Sequence, residues 1–421
     1  MNLTRFSLFI SILLLLFGCS GVKHTDETQQ IKDLPDATWR AVLQPNDSTQ
    51  IPFIFKSSHD TEGALQFTLI NGEEELVIDE YTFKADSLII PLLSFDTDLR
   101  LKVEEERLIG THARYWYAEP YVISVTFYKD DARRFILNKP EPVTDVSGTW
   151  DVDFLNEEGK PDKAVGVFEQ KGLNVKGTFL TPLGDYRYLD GVVDGNILKL
   201  SCFDGSHAFL FTAEITSDKK LANGHFYSGS HWYQPWVGFK NEDAQLPDAG
   251  SLTYLKEGYE KLEFAFPNLD STLVSLDDPK YQDKVVVVQL MGSWCPNCMD
   301  ETKFLRSLYE KYNNKGLEVI GLAYERKADF AYSKEKVLKM KEKFEVPYDL
   351  LIAGTFDKEE AAKTLPMLNH VISFPTAIVI NRQGEVDYVH TGFSGPGTGK
   401  YYTQFVDEFT ERIQTLLANE S

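Results

Sequence analysis

Residues 284–291 read Lys-Val-Val-Val-Val-Gln-Leu-Met, and this apolar run ends at Gly292-Ser293-Trp294-Cys295-Pro296-Asn297-Cys298. A strand that is apolar on both faces belongs inside a mixed or parallel sheet covered on both sides. The run therefore excludes a purely antiparallel fold for this part of the chain, and it predicts a strand that hands over to a helix at the two cysteines. The residues that follow continue the alternation. They predict a helix from about Cys295 to Asn313, a strand at Leu317–Ala323, a charged helix around Lys334–Phe344 and a strand near Tyr348–Ile352. A short helix near Lys358–Leu365, strands at Thr376–Ile380 and Val386–Val389 and a last helix from about Tyr401 to Leu417 complete an α/β domain over residues 255–421.

The junction itself has chemical consequences. First-turn amides of a helix lack intrahelical acceptors and the macrodipole is positive there, so a thiolate at Cys295 is favoured. Pro296 suits the first turn, where its missing N–H costs nothing. Cys298, three residues on, shares a helix face with Cys295 and can reach its sulfur.

Trp294-Cys295-Pro296-Asn297-Cys298 on a strand-to-helix turn, with Ile372-Ser373-Phe374-Pro375-Thr376 further along, resembles the thioredoxin superfamily. Within it, the chain resembles the TlpA-like periplasmic thiol-disulfide oxidoreductases. The likeness runs from about Leu262 to Leu417. It includes Phe264-Ala265-Phe266-Pro267-Asn268-Leu269-Asp270 before Val274-Ser275-Leu276, and the closing stretch Val379–Val386. The resemblance implies a thioredoxin fold in which Cys295 attacks, Cys298 resolves and the bond before Pro375 is cis, X–Pro being the one bond where cis is cheap. It implies that the backbone of Phe374 pairs with an extended substrate, with Trp294 and Pro296 also in contact. Glu301 matches a glutamate that could relay a proton to and from Cys298. Gln289 stands where cytoplasmic thioredoxins carry a buried aspartate, which makes Glu301 the proton acceptor to expect.

The implied reaction is thiol-disulfide exchange, in the reducing direction, on cysteine-containing envelope proteins. The only redox group expected is the Cys295–Cys298 couple. There is no nicotinamide or flavin motif, so electrons would come from a membrane thiol donor. Pro296-Asn297 does not set the redox direction by itself, so a disulfide oxidase or isomerase stays open. So does an envelope binding protein whose upstream domains carry the main role.

At the amino end, Arg5 precedes an apolar stretch from Phe6 to Phe17. A spanning helix needs about 20 such residues, so this is a signal-peptide core. Leu16-Phe17-Gly18-Cys19-Ser20 resembles a bacterial lipoprotein box. That implies removal of residues 1–18, lipidation of Cys19, a flexible linker over 19–37 and membrane attachment through acyl chains. The chain is thus expected to be a periplasm-facing lipoprotein in the envelope of a Gram-negative bacterium.

Residues 38–137 and 145–242 alternate apolar and polar residues in short runs broken by turns such as Asn71-Gly72, and they predict two mainly antiparallel β domains. They resemble accessory regions preceding such domains in Bacteroidetes lipoproteins. Asp86–Asp96 has the spacing of Asp194–Asp204, and each segment opens on a Thr-Trp pair, at Trp39 and Trp150, so the two are read as an internal duplication. Asn138–Pro142 and Gln245–Gly250 are the connectors.

A length of 421 residues allows about three domains at roughly 150 residues each. The net charge of −21 argues against nucleic acid as a partner, since phosphate binding relies on clustered Lys and Arg. Of the four cysteines, Cys19 and Cys202 stand far from the Cys-x-x-Cys, so a zinc site lacks its second pair and no metal is expected. The Pro and Thr that a peroxiredoxin places before its reactive cysteine are Val288 and Gly292 here. Cys202 reads as a small buried hydrophobe. His207, His225 and His231, near Trp232 and Trp236, read as structural residues on strands. Lys334–Lys343 reads as a solvated helix face. Glu301 has a second reading, as a first-turn carboxylate favoured by the helix dipole.

Overall fold

Period-two patterning folds the upstream region into two up-and-down meanders. The computed structural model describes residues 34–419 except 85, 93–94, 105, 116–120 and 140–143; the signal segment, Cys19 and most of the linker that follows it lie outside the described residues. The first meander comprises β1 (Ala37–Gln44), β2 (Ile51–His59), β3 (Leu65–Asn71), β4 (Glu74–Ile78), β5 (Thr82–Lys84), β6 (Ser87–Leu92), β7 (Thr97–Glu104), β8 (Arg107–Arg114) and β9 (Tyr121–Lys129). Its order is β4-β3-β2-β1-β9-β8-β7-β6-β5, and among the described residues nothing pairs β4 with β5, so it is a half-barrel open along one side.

The second meander comprises β10 (Gly148–Leu155), β11 (Pro161–Lys171), β12 (Asn174–Thr181), β13 (Gly184–Asp185), β14 (Leu189–Asp194), β15 (Ile197–Phe203), β16 (Ala208–Ile215), β17 (Lys220–Ser228) and β18 (Trp232–Lys240). Here β11 pairs with both β10 and β12, which closes a barrel. The short β13 is hairpinned onto β12. The two sequence repeats fall on equivalent strands in chain order: Trp39 and Trp150 lie on β1 and β10, the first strand of each meander, and the Asp86 and Asp194 stretches carry β6 and β15, each the fourth strand from the end of its meander along the chain.

An open half-barrel leaves an apolar concave face that water would otherwise wet, and the barrel covers it. Phe203, Ala208 and Leu210, from β15 and β16, belong to the same buried cluster as Phe53, Phe55 and Phe127 of the half-barrel. The rings of Phe53 and Phe203 are 4.5 Å apart. Asn71 closes the seam, donating to Phe203 O at 2.9 Å and accepting from Phe203 N at 3.2 Å. The buried Arg134, beyond the end of β9, donates to Pro52 O at 3.3 Å and to Ser201 O at 3.4 Å. The barrel interior is filled by aromatic rings, with Phe211 stacked on Phe226 at 4.2 Å and Trp150 and Trp236 almost fully enclosed. Cys202 is fully buried, and the apolar surroundings hold its thiol well above the ordinary range.

The carboxyl-terminal domain begins with the hairpin β19 (Ala265–Pro267) and β20 (Leu273–Ser275). It continues through β21 (Val285–Met291), α1 (Pro296–Tyr312), β22 (Leu317–Glu325), α2 (Phe330–Lys343), β23 (Asp349–Thr355), α3 (Lys358–Thr364), β24 (Thr376–Ile380), β25 (Val386–Thr391) and α4 (Lys400–Ala418). The sheet order is β23-β22-β21-β24-β25, with β21, β22 and β23 parallel and β24 and β25 antiparallel to their neighbours. This is the thioredoxin fold, and every residue of the central β21 is buried.

Helix α2 starts before the expected Lys334 because the Asp329 side chain accepts from Tyr332 N at 2.7 Å and caps it. Its charged run is also less solvated than its composition suggests. Lys336 and Tyr332 both bind Asp96 of the half-barrel, while Val337 and Met340 are buried. The barrel histidines are held individually: His207 lies 3.0 Å from Asp204, His225 lies 2.9 Å from the Tyr233 hydroxyl and the His231 ring packs on Tyr121.

Candidate active site

Cys295 is the N-cap of α1. Its extended backbone lets the sulfur turn back onto the helix, where Sγ accepts from Cys298 N at 3.3 Å. The Cys295 thiol also faces Phe374 O at 3.5 Å, across the cis Phe374–Pro375 bond. Gly292 is required just before the motif, because a Cβ there would sit 2.2 Å from Trp294 Nε1. Trp294 folds over the strand end, donates to Tyr324 O at 2.8 Å and meets the Phe374 ring edge-on at 6.0 Å. Both cysteines are free thiols; Cys295 is 6% exposed and Cys298 fully buried. Burial, then the bond to Cys295 and the nearby charge of Glu301, push the Cys298 thiol well above the usual thiol range.

Glu301 lies behind Cys298, in the second turn of α1. It is fully buried, so it is not a dipole-stabilised first-turn carboxylate. Gln289 organises this pocket: its side-chain amide donates to Glu301 Oε2 at 2.9 Å and to Cys298 O at 3.2 Å, while its carbonyl accepts from Thr302 Oγ1 at 3.1 Å. The other Glu301 oxygen has no hydrogen-bond partner among the described residues. Burial, opposed only by the Gln289 bond, pushes the Glu301 carboxyl up to about 8.

A second buried carboxyl flanks the motif. Glu325, at the end of β22, accepts from Ser293 N at 2.7 Å and Ser293 Oγ at 2.9 Å, and burial pushes it up to about 7. Sequence reading passed over Glu325, although an acid at the carboxyl end of a buried parallel strand is a recognisable signal. Arg326 stacks over Trp294 at 4.9 Å.

The remaining walls come from the barrel. Arg187 donates to Pro296 O at 3.0 Å and forms buried ion pairs with Asp300 of α1 and Glu74 of the half-barrel, with Asp204 of the barrel 3.8 Å away. Surrounded by acids, it remains protonated. Asn297 Nδ2 donates to Asp185 O at 3.0 Å, and Ser373 Oγ donates to Leu183 O at 2.6 Å. Asp185 Oδ2 accepts from Gly395 N at 2.5 Å, and burial pushes this carboxyl up to about 6. Arg187, Asp185 and Asp300 were invisible to sequence reasoning, because nothing local in Gly184-Asp185-Tyr186-Arg187 announces a partner beyond residue 290. Trp294, Cys295, Pro296, Cys298, Glu301, Phe374 and Pro375 thus meet in one place, and Cys19 lies outside the described residues.

Residues 247–404 match the Redoxin family. This part of the chain has the thioredoxin fold, and its similarities support a TlpA-like thiol-disulfide oxidoreductase domain. The thiol-disulfide oxidoreductase ResA of Bacillus thuringiensis is 31% identical over 130 residues, 31% of this chain and 66% of the relative. The thioredoxin-like protein YneN of Bacillus subtilis is 27% identical over 138 residues, 33% of this chain and 73% of the relative. The chain thus spans just under two thirds of the first of these relatives. A solved thiol:disulfide interchange protein of Chlorobium tepidum, 18% identical, aligns over 39% of this chain and 99% of its own length at a TM-score of 0.30.

Proposed function

We propose that this protein is an exported, lipid-anchored enzyme that reduces disulfides of envelope proteins through Cys295 and Cys298. The observation that carries the reading is the pair of free thiols at a capped helix start, Cys298 N to Cys295 Sγ at 3.3 Å, with a buried carboxyl behind them.

The Cys298 N–H and the helix start stabilise a Cys295 thiolate, which attacks one sulfur of a substrate disulfide. The substrate S–S bond breaks, a Cys295–substrate disulfide forms, and the expelled thiolate takes a proton from water. The Cys298 thiol then gives its proton to the Glu301 carboxylate and attacks Cys295 Sγ. The mixed disulfide breaks, the Cys295–Cys298 disulfide forms, and the second substrate thiolate leaves. Two electrons have passed to the substrate, and a membrane dithiol donor returns them. Because Glu301 is mostly protonated below about 8, the second step is expected to quicken as pH rises toward that value.

The test is Cys298→Ser, which stalls at the mixed disulfide. A set of trapped envelope cysteine proteins that disappears with Cys295→Ser supports the reading, and capture that persists without Cys295 overturns it. The reduction potential of the pair decides direction: roughly −270 mV marks a reductant, whereas roughly −120 mV would mark an oxidant.

A further inference from the structure

Three loops border Cys295: the motif 294–298, the cis-proline loop 372–376 and the segment 392–395 after β25, whose Gly392 N donates to Pro375 O at 3.0 Å. A polypeptide that delivers a disulfide to Cys295 has to lie across them. In this conformation, residues 182–185 of the barrel already do. Leu183 O accepts from Ser373 of the cis-proline loop at 2.6 Å, Asp185 O from Asn297 of the motif at 3.0 Å, and Asp185 Oδ2 from Gly395 N at 2.5 Å. The fit is tight: a Cβ on Gly184 would lie 2.9 Å from Asn297 Nδ2, and one on Gly392 would lie 2.9 Å from the Leu183 carbonyl carbon. Beneath this segment Cys295 keeps 6% of its surface.

The two side-chain donors take carbonyl oxygens of Leu183 and Asp185, two residues apart on one segment. Leu183 lies in the turn between β12 and β13 and Asp185 in β13, so both acceptors are main-chain carbonyls at a hairpin end, and a carbonyl carries no side-chain identity. Ser373 and Asn297 are therefore equipped to hold main-chain carbonyls of a polypeptide whatever its side chains. Resting on the exchange reading above, we infer that residues 182–185 are a built-in occupant of the peptide-binding strip. A disulfide-bearing polypeptide displaces this segment and takes over the Ser373 and Asn297 hydrogen bonds. A small disulfide needs only the residual opening.

The experiment uses the full-length reduced protein and two barrel-side variants, Asp185→Ala, which loses the Gly395 bond, and Gly184→Ala, which forces a Cβ against Asn297. Single-turnover rates are measured with hydroxyethyl disulfide and with insulin as the protein disulfide. The variants are expected to react with insulin roughly fivefold faster, the factor that one ordinary hydrogen bond corresponds to, and with hydroxyethyl disulfide at a rate within about twofold of wild type. Unchanged or slower insulin rates in both variants overturn the inference. Absence of reaction with hydroxyethyl disulfide in the wild type would instead sink the exchange reading. Hydrogen exchange provides an arm independent of both turnover and variant folding. Cys298→Ser carrying a chemically installed mixed disulfide between Cys295 and a cysteine peptide should exchange the amides of residues 183–188 faster than the free protein. Unaltered protection there refutes the displacement.

Discussion

Glu301→Gln should stabilise the carboxyl-terminal domain by an amount that grows with pH. The Glu301 carboxyl moves from an ordinary 4.5 to about 8 on folding, because burial disfavours its charge. The folded state therefore keeps a proton that the unfolded chain releases above 4.5, so stability falls as pH rises from there and levels off beyond 8. At about 1.4 kcal/mol per pH step for one proton, the loss is about 3 kcal/mol at neutral pH and about 5 kcal/mol when complete. Glutamine keeps the carbonyl that accepts from Gln289 Nε2 and has nothing to ionise. Native-state hydrogen exchange of the β21 and β24 amides, compared at matched pH, reads the difference for this domain alone. The variant should exchange about fourfold more slowly near pH 5 and about three-hundredfold more slowly near pH 7. A ratio that stays constant between those values would mean that Glu301 is ionised throughout, and the expected quickening of the second step as pH rises toward 8 would fall with it.

Two further outcomes follow from the packing between domains. Arg187→Ala leaves Glu74, Asp204 and Asp300 buried without their shared cation and should cost about 3–5 kcal/mol in chemical denaturation, partly restored by Arg187→Lys; a cost below about 1 kcal/mol would show that the network is not holding the three domains together. Phe203→Ala, a substitution in the barrel, should cost about 3–5 kcal/mol and speed hydrogen exchange in β2 of the half-barrel, where Phe53 loses its partner; faster exchange confined to the barrel would refute the shared core.

Much of the redox domain was legible locally. Val285–Met291 is apolar without alternation because both faces of β21 are covered, and the cysteines follow because a buried strand must give way to a helix there. Helix ends were less legible. The start of α2 depends on Asp329 acting as a cap, and an aspartate before Phe330 reads equally well as a loop residue. Glu301 was identifiable as a candidate from the resemblance, but the pH at which it titrates comes from complete burial, which no spacing reports.

The sequence by itself determined the kind of strand, the strand-to-helix turn that presents Cys295 and Cys298, and the two meanders with their matching Trp39 and Trp150, because periodicity and turn chemistry act over a few residues. Only the tertiary structure decided that one meander closes while the other stays open, that Phe203 and Leu210 fill the open one, and that Leu183, Asp185 and Arg187 reach the active-site loops. The physical reason is that an apolar or charged side chain encodes its need for a partner, while the identity of that partner depends on which distant surfaces come into contact.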